Sequence, residues 1–451
     1  MVGVTDVVEE LHRQIASVVG SAVGAGKGIS VSIGGASSTS DGSTRRAGGI
    51  PGFIYRRVRG VTNMVGSGLD AAFATYQHYQ QRSLLLTHSA ANPAANPAAK
   101  SAIKPDAANG AAPSYGFEAA LAAINGVFGD YLEATQNPLA INMSLCYEGQ
   151  AIALDKRAIK KLFANPHGKA STKPIIGGKL LVLVHGLCMN HQQWQRDGHD
   201  HGASLARDVG YTSLYVRYNS GRHVAANGEE FAVLLEQLVE QWPAPITELV
   251  IIGHSMGGLV ARSASEAARQ AKHTWPRHLK KMIFLGTPHH GAPLERAGHW
   301  VDFLLGMTPF SAPFTRLSKV RSAGIQDLRY GNVGDFVARA RSDILIDASS
   351  NLNSKLNRDA KRQAMPVTMP KGVKCYLIAA TKKAKTNIGK VTAPIPGDGL
   401  VPVNSALGLH QDPALSLKVP ATRRKICYGL DHFDLLSSAD VYKNIHGWLA
   451  K

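Results

Sequence analysis

One fifteen-residue stretch limits what this chain can fold into. "ELVIIGHSMGGLVAR" (residues 248–262) runs from a β-branched apolar segment almost directly into a helix-forming one. The first half has the composition of a strand buried on both faces of a parallel sheet. The continuation "SASEAARQA" is alanine-rich and reads as helix. The joint is Gly253-His254-Ser255-Met256-Gly257. A chain passes from strand to helix in so few residues only through a strained backbone. Glycines two residues before and two after the serine leave that turn room. Such a turn lifts the Ser255 hydroxyl out of the sheet and aims the first helix amides at whatever the hydroxyl attacks.

The same alternation extends to both sides. "KLLVLVHG" (179–186), "YTSLYVRYN" (211–219), "LKKMIFLGTP" (279–288), "GVKCYLIAAT" (372–381) and "RRKICYGL" (423–430) read as strands. "NGEEFAVLLEQLVEQW" (227–242), capped by Asn227, and the closing "SADVYKNIHGWLA" read as helices. "AINMSLCYEGQAIALD" (140–155) alternates about Glu148-Gly149 and reads as a β-hairpin. Alternation at this spacing predicts an α/β fold, a mainly parallel sheet with helices on both faces. Residues 289–370 interrupt it between two strands. An insertion there overhangs the C-terminal strand ends, where sites in open α/β sheets lie. It carries Trp300, Phe303, Leu304, Leu305, Phe310 and Phe314 and reads as an apolar helical lid.

Residues 1–138 have a different texture. Helical segments at 5–20, 51–90 and 115–135 are separated by a Gly/Ser-rich linker (21–50) and the Pro/Ala/Asn-rich run "SAANPAANPAAKSAIKPDAANGAAPS". The expected division is a helical, partly low-complexity N-terminal region (1–138) and an α/β domain (139–451) with its lid at 289–370.

Charge narrows the partners. Lys+Arg minus Asp+Glu is 50 − 32 = +18, and residues 1–150 hold ten of each sign, so the excess lies in 151–451. Residues 355–390 contain ten Lys/Arg and a single acid, Asp359. Such a block is either a solvated face or an attraction to an anionic surface such as phospholipid. No zinc finger, nucleic-acid-binding signature or basic zipper accompanies it, so no nucleic acid is expected. Cys146, Cys188, Cys375 and Cys427 are far apart and form no CxxC. Three lie in strand-like runs and read as small buried hydrophobes, reduced, as in a cytoplasmic protein. Asp6, Glu9 and Glu10 precede the apolar part of the N-terminus, unlike a signal peptide. No run of about 18 apolar residues predicts a membrane span.

A serine hydroxyl needs a base, and the base an orienting acid. Asp398, in "IPGDGLVPVNS", follows the strand 372–381, and His432, in "GLDHFDLL", follows the strand 423–430. Both are therefore placed at C-terminal strand ends, as Ser255 is, and the chain order is nucleophile, acid, histidine. Asp431, Asp434 and Asp302 are rival acids; His254, His289 and His290 are rival bases. The loop after "VLVHG" should supply the Leu187 amide, which with the Met256 amide would stabilise an oxyanion. His185 reads as a prop for that loop. Asp197, His199, Asp200 and His201 crowd together in "DGHDHG", but neighbouring loop histidines usually face solvent, and no metal is expected.

"LVHGL", "GHSMGGLVAR", "FLGTPHHGAP", "GDGLVP" and "DHFDLL" together resemble the lipase/esterase branch of the α/β-hydrolase superfamily, in particular GPI-inositol-deacylase-like serine esterases. The resemblance covers about 178–451 and leaves 1–140 unaccounted for. It implies hydrolysis of an acyl ester or lipid through an acyl-enzyme, with no cofactor. Acyl transfer to another alcohol and thioester hydrolysis use the same groups. A lipid-surface or granule-binding protein is the alternative from outside enzymes. On this division, a chain begun near Ala140 should still hydrolyse a small ester.

Overall fold

The computed structural model describes residues 115–164, 176–292, 322–333, 367–385 and 396–450. The segments at 5–20, 21–50 and 51–90, the aromatic part of the insertion and residues 355–366 and 386–390 of the basic block lie outside them. The chain divides into two compact units, Met1–Phe117 and Glu118–Lys451, and the sheet belongs to the second.

Helix α1 spans Tyr115–Ala134. The hairpin β1 (Ser144–Tyr147) and β2 (Gln150–Ala151) turns at Glu148-Gly149, both with positive φ. Helix α2 (Lys156–Ala164) follows, its first amides received by Asp155 Oδ1. The alternating part is then β3 (Lys179–Val184), α3 (His201–Val209), β4 (Thr212–Arg217), α4 (Val224–Gln241), β5 (Glu248–His254), α5 (Met256–Ala271) and β6 (Leu279–Leu285). Helix α6 (Ala323–Tyr330) lies within the insertion, before β7 (Lys374–Thr381), the one-turn α7 (Val403–Ala406), β8 (Arg424–Tyr428) and α8 (Ala439–Leu449).

The eight strands form one sheet in the order β2-β1-β4-β3-β5-β6-β7-β8. Strand β1 pairs antiparallel with both β2 and β4; the strands from β4 to β8 in that order pair parallel. The apolar runs are explained by position: Leu180–Val184 and Leu249–Ile252 are fully buried, as central strands covered on both faces must be. After β3 the chain moves outward to β4 and then crosses back to β5. That reversal opens a crevice between the C-terminal ends of β3 and β5. Against β5 and β6, α5 presents Leu259, Val260, Ala261 and Ala264, while Gly228 of α4 lets that helix lie directly against Ser263 of α5.

Two sequence expectations are corrected. Helix α4 begins at Val224, not at an Asn227 cap. Its first amide is received by the Asp327 carboxylate from α6, and Asn227 is buried inside the first turn, donating to the Asn219 carbonyl. A cap supplied from a hundred residues away leaves no local signal. The "DGHDHG" segment is not a solvent-facing loop: Asp200 caps α3 through the Ala203 amide, and His201 is fully buried within that helix. From Glu118 onward, α1 falls in the same compact unit as the sheet. Leu121 through Phe128 are buried in succession. Asn125 bonds to the Leu121 and Leu139 carbonyls and receives the Ile141 amide.

Candidate active site

Ser255 stands between β5 and α5 with φ 53° and ψ −125°, a conformation non-glycine residues avoid at a cost of roughly 1–3 kcal/mol. Its amide donates to the Leu285 carbonyl at 2.9 Å, which fastens the turn to the end of β6. The flanking glycines are required for space. A Cβ on Gly253 would lie 2.6 Å from the Gly258 backbone, and one on Gly257 would lie 2.2 Å from the Val184 carbonyl oxygen. Both obstacles are main chain in the core and cannot move aside. Gly253→Val and Gly257→Val are therefore expected to lose several kcal/mol of stability and most turnover. Thermal denaturation and an ester assay check this; wild-type values in both variants would refute the described turn.

His432 and Asp398 meet at the far side of the crevice. The His432 Nδ1 lies 2.7 Å from Asp398 Oδ2, and both side chains are about 1% exposed. Asp398 is held from its own loop: Oδ1 accepts the Leu400 amide at 2.9 Å and the Val401 amide at 2.8 Å, leaving Oδ2 for the ring. A carboxylate only accepts, so Nδ1 donates and Nε2 presents its lone pair. That Nε2 is buried and has no partner among the described residues. The rival acids next to the histidine are used by the turn itself. Asp431 Oδ1 accepts the amides of Phe433 and Asp434, and Asp434 Oδ2 accepts the Asp431 amide. Asp302 lies outside the described residues.

The loop leaving β3 abuts the serine. A Cβ on Gly186 would lie 3.0 Å from Ser255 Cβ, so any larger residue there would crowd the serine. Leu187 comes next and is buried. Among the described residues, neither the Leu187 nor the Met256 amide donates to any acceptor, which leaves both available. Below the loop, His185 Nδ1 lies 2.9 Å from the Gly186 carbonyl, its ring stacks on Tyr218, and the Tyr218 hydroxyl donates to the His185 carbonyl. Helix α1 closes over the loop from outside. Gly126 packs against Cys188, whose amide donates to Ser220 Oγ. All four cysteines are buried and unpaired.

Two of the rival bases, His254 and His289, have other partners. His254 Nε2 is 3.1 Å from the His432 carbonyl. His289 Nδ1 is 3.2 Å from Arg262 Nη1, and Arg262 also donates to the Val367 carbonyl. His201 Nε2 is 2.9 Å from the Leu435 carbonyl, and its Nδ1 is 2.8 Å from His199 Nε2. Among the described residues no group of three or more His, Cys, Asp or Glu could hold a metal ion.

These buried imidazoles make the fold acid-sensitive. Burial holds His201 down to about 4 and His185 down to about 3, against an ordinary value of 6.5. Both stay neutral in the fold, whereas the unfolded chain protonates below 6.5. Their stabilising contribution is therefore complete above pH 6.5 and falls as the pH drops through 6.5 towards those folded values. At pH 5 each is expected to have lost about 2 kcal/mol. Thermal denaturation at pH 7.5 and pH 5 checks this, and His201→Gln should flatten the dependence. Equal melting temperatures at the two pH values would refute it.

Several site residues had no legible role in the sequence. Gly186 and Gly286 are spaced by contacts with Ser255 and His432 that only the sheet creates. Gly126 and Gly129 did leave a signal: two glycines inside a helix cost stability unless something approaches closely. Gly129 faces Asn219 and Gly221.

Residues 176–354 match the family model described as PGAP1-like alpha/beta domain. No curated protein matches the chain. Solved structures with a similar course include the mature form of the lipase BlEst2 from Bacillus licheniformis, at 17% identity, 63% of this chain, 96% of that one and a TM-score of 0.39. Another is a lipase-esterase related protein from Clostridium acetobutylicum, at 12% identity, 60% and 94% coverage and a TM-score of 0.33. No helix among the described residues is long and apolar enough to cross a membrane. Over residues 176–354, which carry the serine turn and the central parallel strands, the chain is similar to the PGAP1-like alpha/beta domain family.

Proposed function

We propose that the protein is a serine carboxylic-ester hydrolase that works through an acyl-enzyme. The observation that carries this reading is the buried 2.7 Å contact between His432 and Asp398, with the unpartnered Nε2 on the other side of the ring. In this reading His432 takes the Ser255 proton as the hydroxyl attacks the ester carbonyl, then gives it to the leaving alcohol. In the second half it activates water to release the acid. Asp398 keeps the ring in the Nδ1–H tautomer and stabilises the imidazolium. The Leu187 and Met256 amides receive the oxyanion. No cofactor takes part. The test is product analysis on nitrophenyl butyrate. Nitrophenol should appear in a burst equal to the enzyme, followed by butyric acid in equal amount to further nitrophenol. Butyryl transfer to added alcohols in place of acid would indicate an acyltransferase using the same groups, and a slow thioester-only activity would narrow the substrate differently.

The substrate proposed is an apolar acyl ester or lipid, met at an anionic surface. Support for the surface is the basic segment, of which Lys382, Lys383 and Lys385 are exposed just beyond β7. Lys383→Gln with Lys385→Gln should weaken sedimentation with anionic vesicles at low salt while leaving soluble-ester turnover unchanged. Lys382 is kept because it packs against Gly399, beside Asp398. Equal binding by the variant would remove the surface role.

A further inference from the structure

His254 is adjacent to the nucleophile in sequence and to the base in space. Its ring centroid lies 4.7 Å from that of His432. Nε2 is 3.1 Å from the His432 carbonyl oxygen, and a carbonyl only accepts, so Nε2 carries the hydrogen. Nδ1, left with a lone pair, is buried without a partner beside Gly186. The residue is fully buried, walled by the edge of Trp194 and by Phe433. An imidazole kept at this depth with one nitrogen unsatisfied is a costly choice where an apolar ring of similar size would pack without loss. The remaining nitrogen makes a single directed bond, and its acceptor is the main chain of the catalytic histidine.

That bond connects two parts of the site that no other described contact joins so directly. Ser255 is fixed by β5 and by its amide bond to Leu285. His432 sits on a loop after β8, at the opposite side of β6 and β7 in the sheet. Asp398 fixes the His432 ring from its Nδ1 side but makes no bond to the main chain of residue 432. We infer that His254 is a positioning residue: its Nε2–H holds the His432 carbonyl and so sets the distance between nucleophile and base. The inference rests on the triad proposed above. Burial, and then the nearby His432, push the basicity of His254 well below the ordinary range, so it adds no second charge when His432 becomes imidazolium.

The test compares His254→Phe, which keeps the ring and loses the donor, with His254→Gln, whose side-chain amide can reach the same carbonyl. Full-length variants are assayed on nitrophenyl butyrate. His254→Phe should lower kcat by about 10- to 100-fold with KM within about two-fold, as expected for a displaced base rather than lost substrate binding. Labelling of Ser255 by a fluorophosphonate, which also needs the base, should slow by the same factor. His254→Gln should recover most of both rates. A folded His254→Phe with wild-type kcat, or one whose defect lies in KM alone, would overturn the inference. If His254→Phe does not fold, His254→Asn, an amide too short to reach, takes its place against His254→Gln, and equal kcat in that pair overturns it. Ser255→Ala is run alongside: activity surviving in it would remove the triad reading itself, whereas its loss together with an unaffected His254 variant removes only the positioning role.

Discussion

Ser255→Ala is expected to lower turnover of a soluble nitrophenyl ester by about four orders of magnitude or more, with the melting temperature nearly unchanged. His432→Ala should be as severe. Asp398→Asn should also lose orders of magnitude, although it removes no atom that touches substrate. The reason lies in the loop around it. Asp398 Oδ1 is held by two amides, so the substituted side chain keeps its place, but an amide nitrogen turned towards His432 Nδ1 favours the wrong tautomer. The three effects should not add, because each removes the same step. Kinetics of the single variants and of the Ser255/His432 pair check this. A double variant far slower than either single one, or an Asp398→Asn enzyme of normal rate, would contradict the arrangement.

The second large effect concerns α1. A chain begun at Ala140 is expected not to fold, while one begun at Pro113 keeps the whole helix. Truncation at 140 removes Leu121, Ile124, Val127, Phe128 and Leu132, all buried. At roughly 1.5–3 kcal/mol for each large apolar side chain the loss reaches about 10 kcal/mol, comparable with the whole stability of a domain. It also strips Arg217 of its ion pair with Glu118 and uncovers the loop at Cys188 and Asn219. Gly126→Val should reproduce part of this, since its Cβ would meet the Cys188 backbone at 2.9 Å. Circular dichroism and ester assays on the two truncated chains decide the matter. A folded, active chain from 140 would restore the boundary that texture alone suggests.

That boundary shows where sequence reasoning reaches its limit. Strands β3, β5, β6 and β7 were legible because burial on both faces forces a continuous apolar run. The turn at Ser255 was legible because its geometry admits few residues on either side. The packing of helix α1 is not legible, because Pro/Ala/Asn-rich sequence precedes it and its own small residues resemble that texture. What distinguishes it is long-range: Gly126 against Cys188 and Ser322 Oγ donating to the Gly126 carbonyl. Likewise the Asp327 cap of α4 and the burial of His201 depend on partners more than a hundred residues away. Asp398 and His432 could be proposed from their order and strand-end positions. Their contact, and the engagement of Asp431 and Asp434 within the turn, are matters of side-chain direction that spacing does not encode.

The most direct test of the central claim is to treat the full-length protein with a fluorophosphonate and locate the adduct by peptide mass spectrometry. The expected result is one stoichiometric phosphonyl group on Ser255, with labelling slowed by orders of magnitude in His432→Ala and Asp398→Asn. No adduct at Ser255, or labelling there at the wild-type rate in His432→Ala, would contradict the claim that these three residues act together.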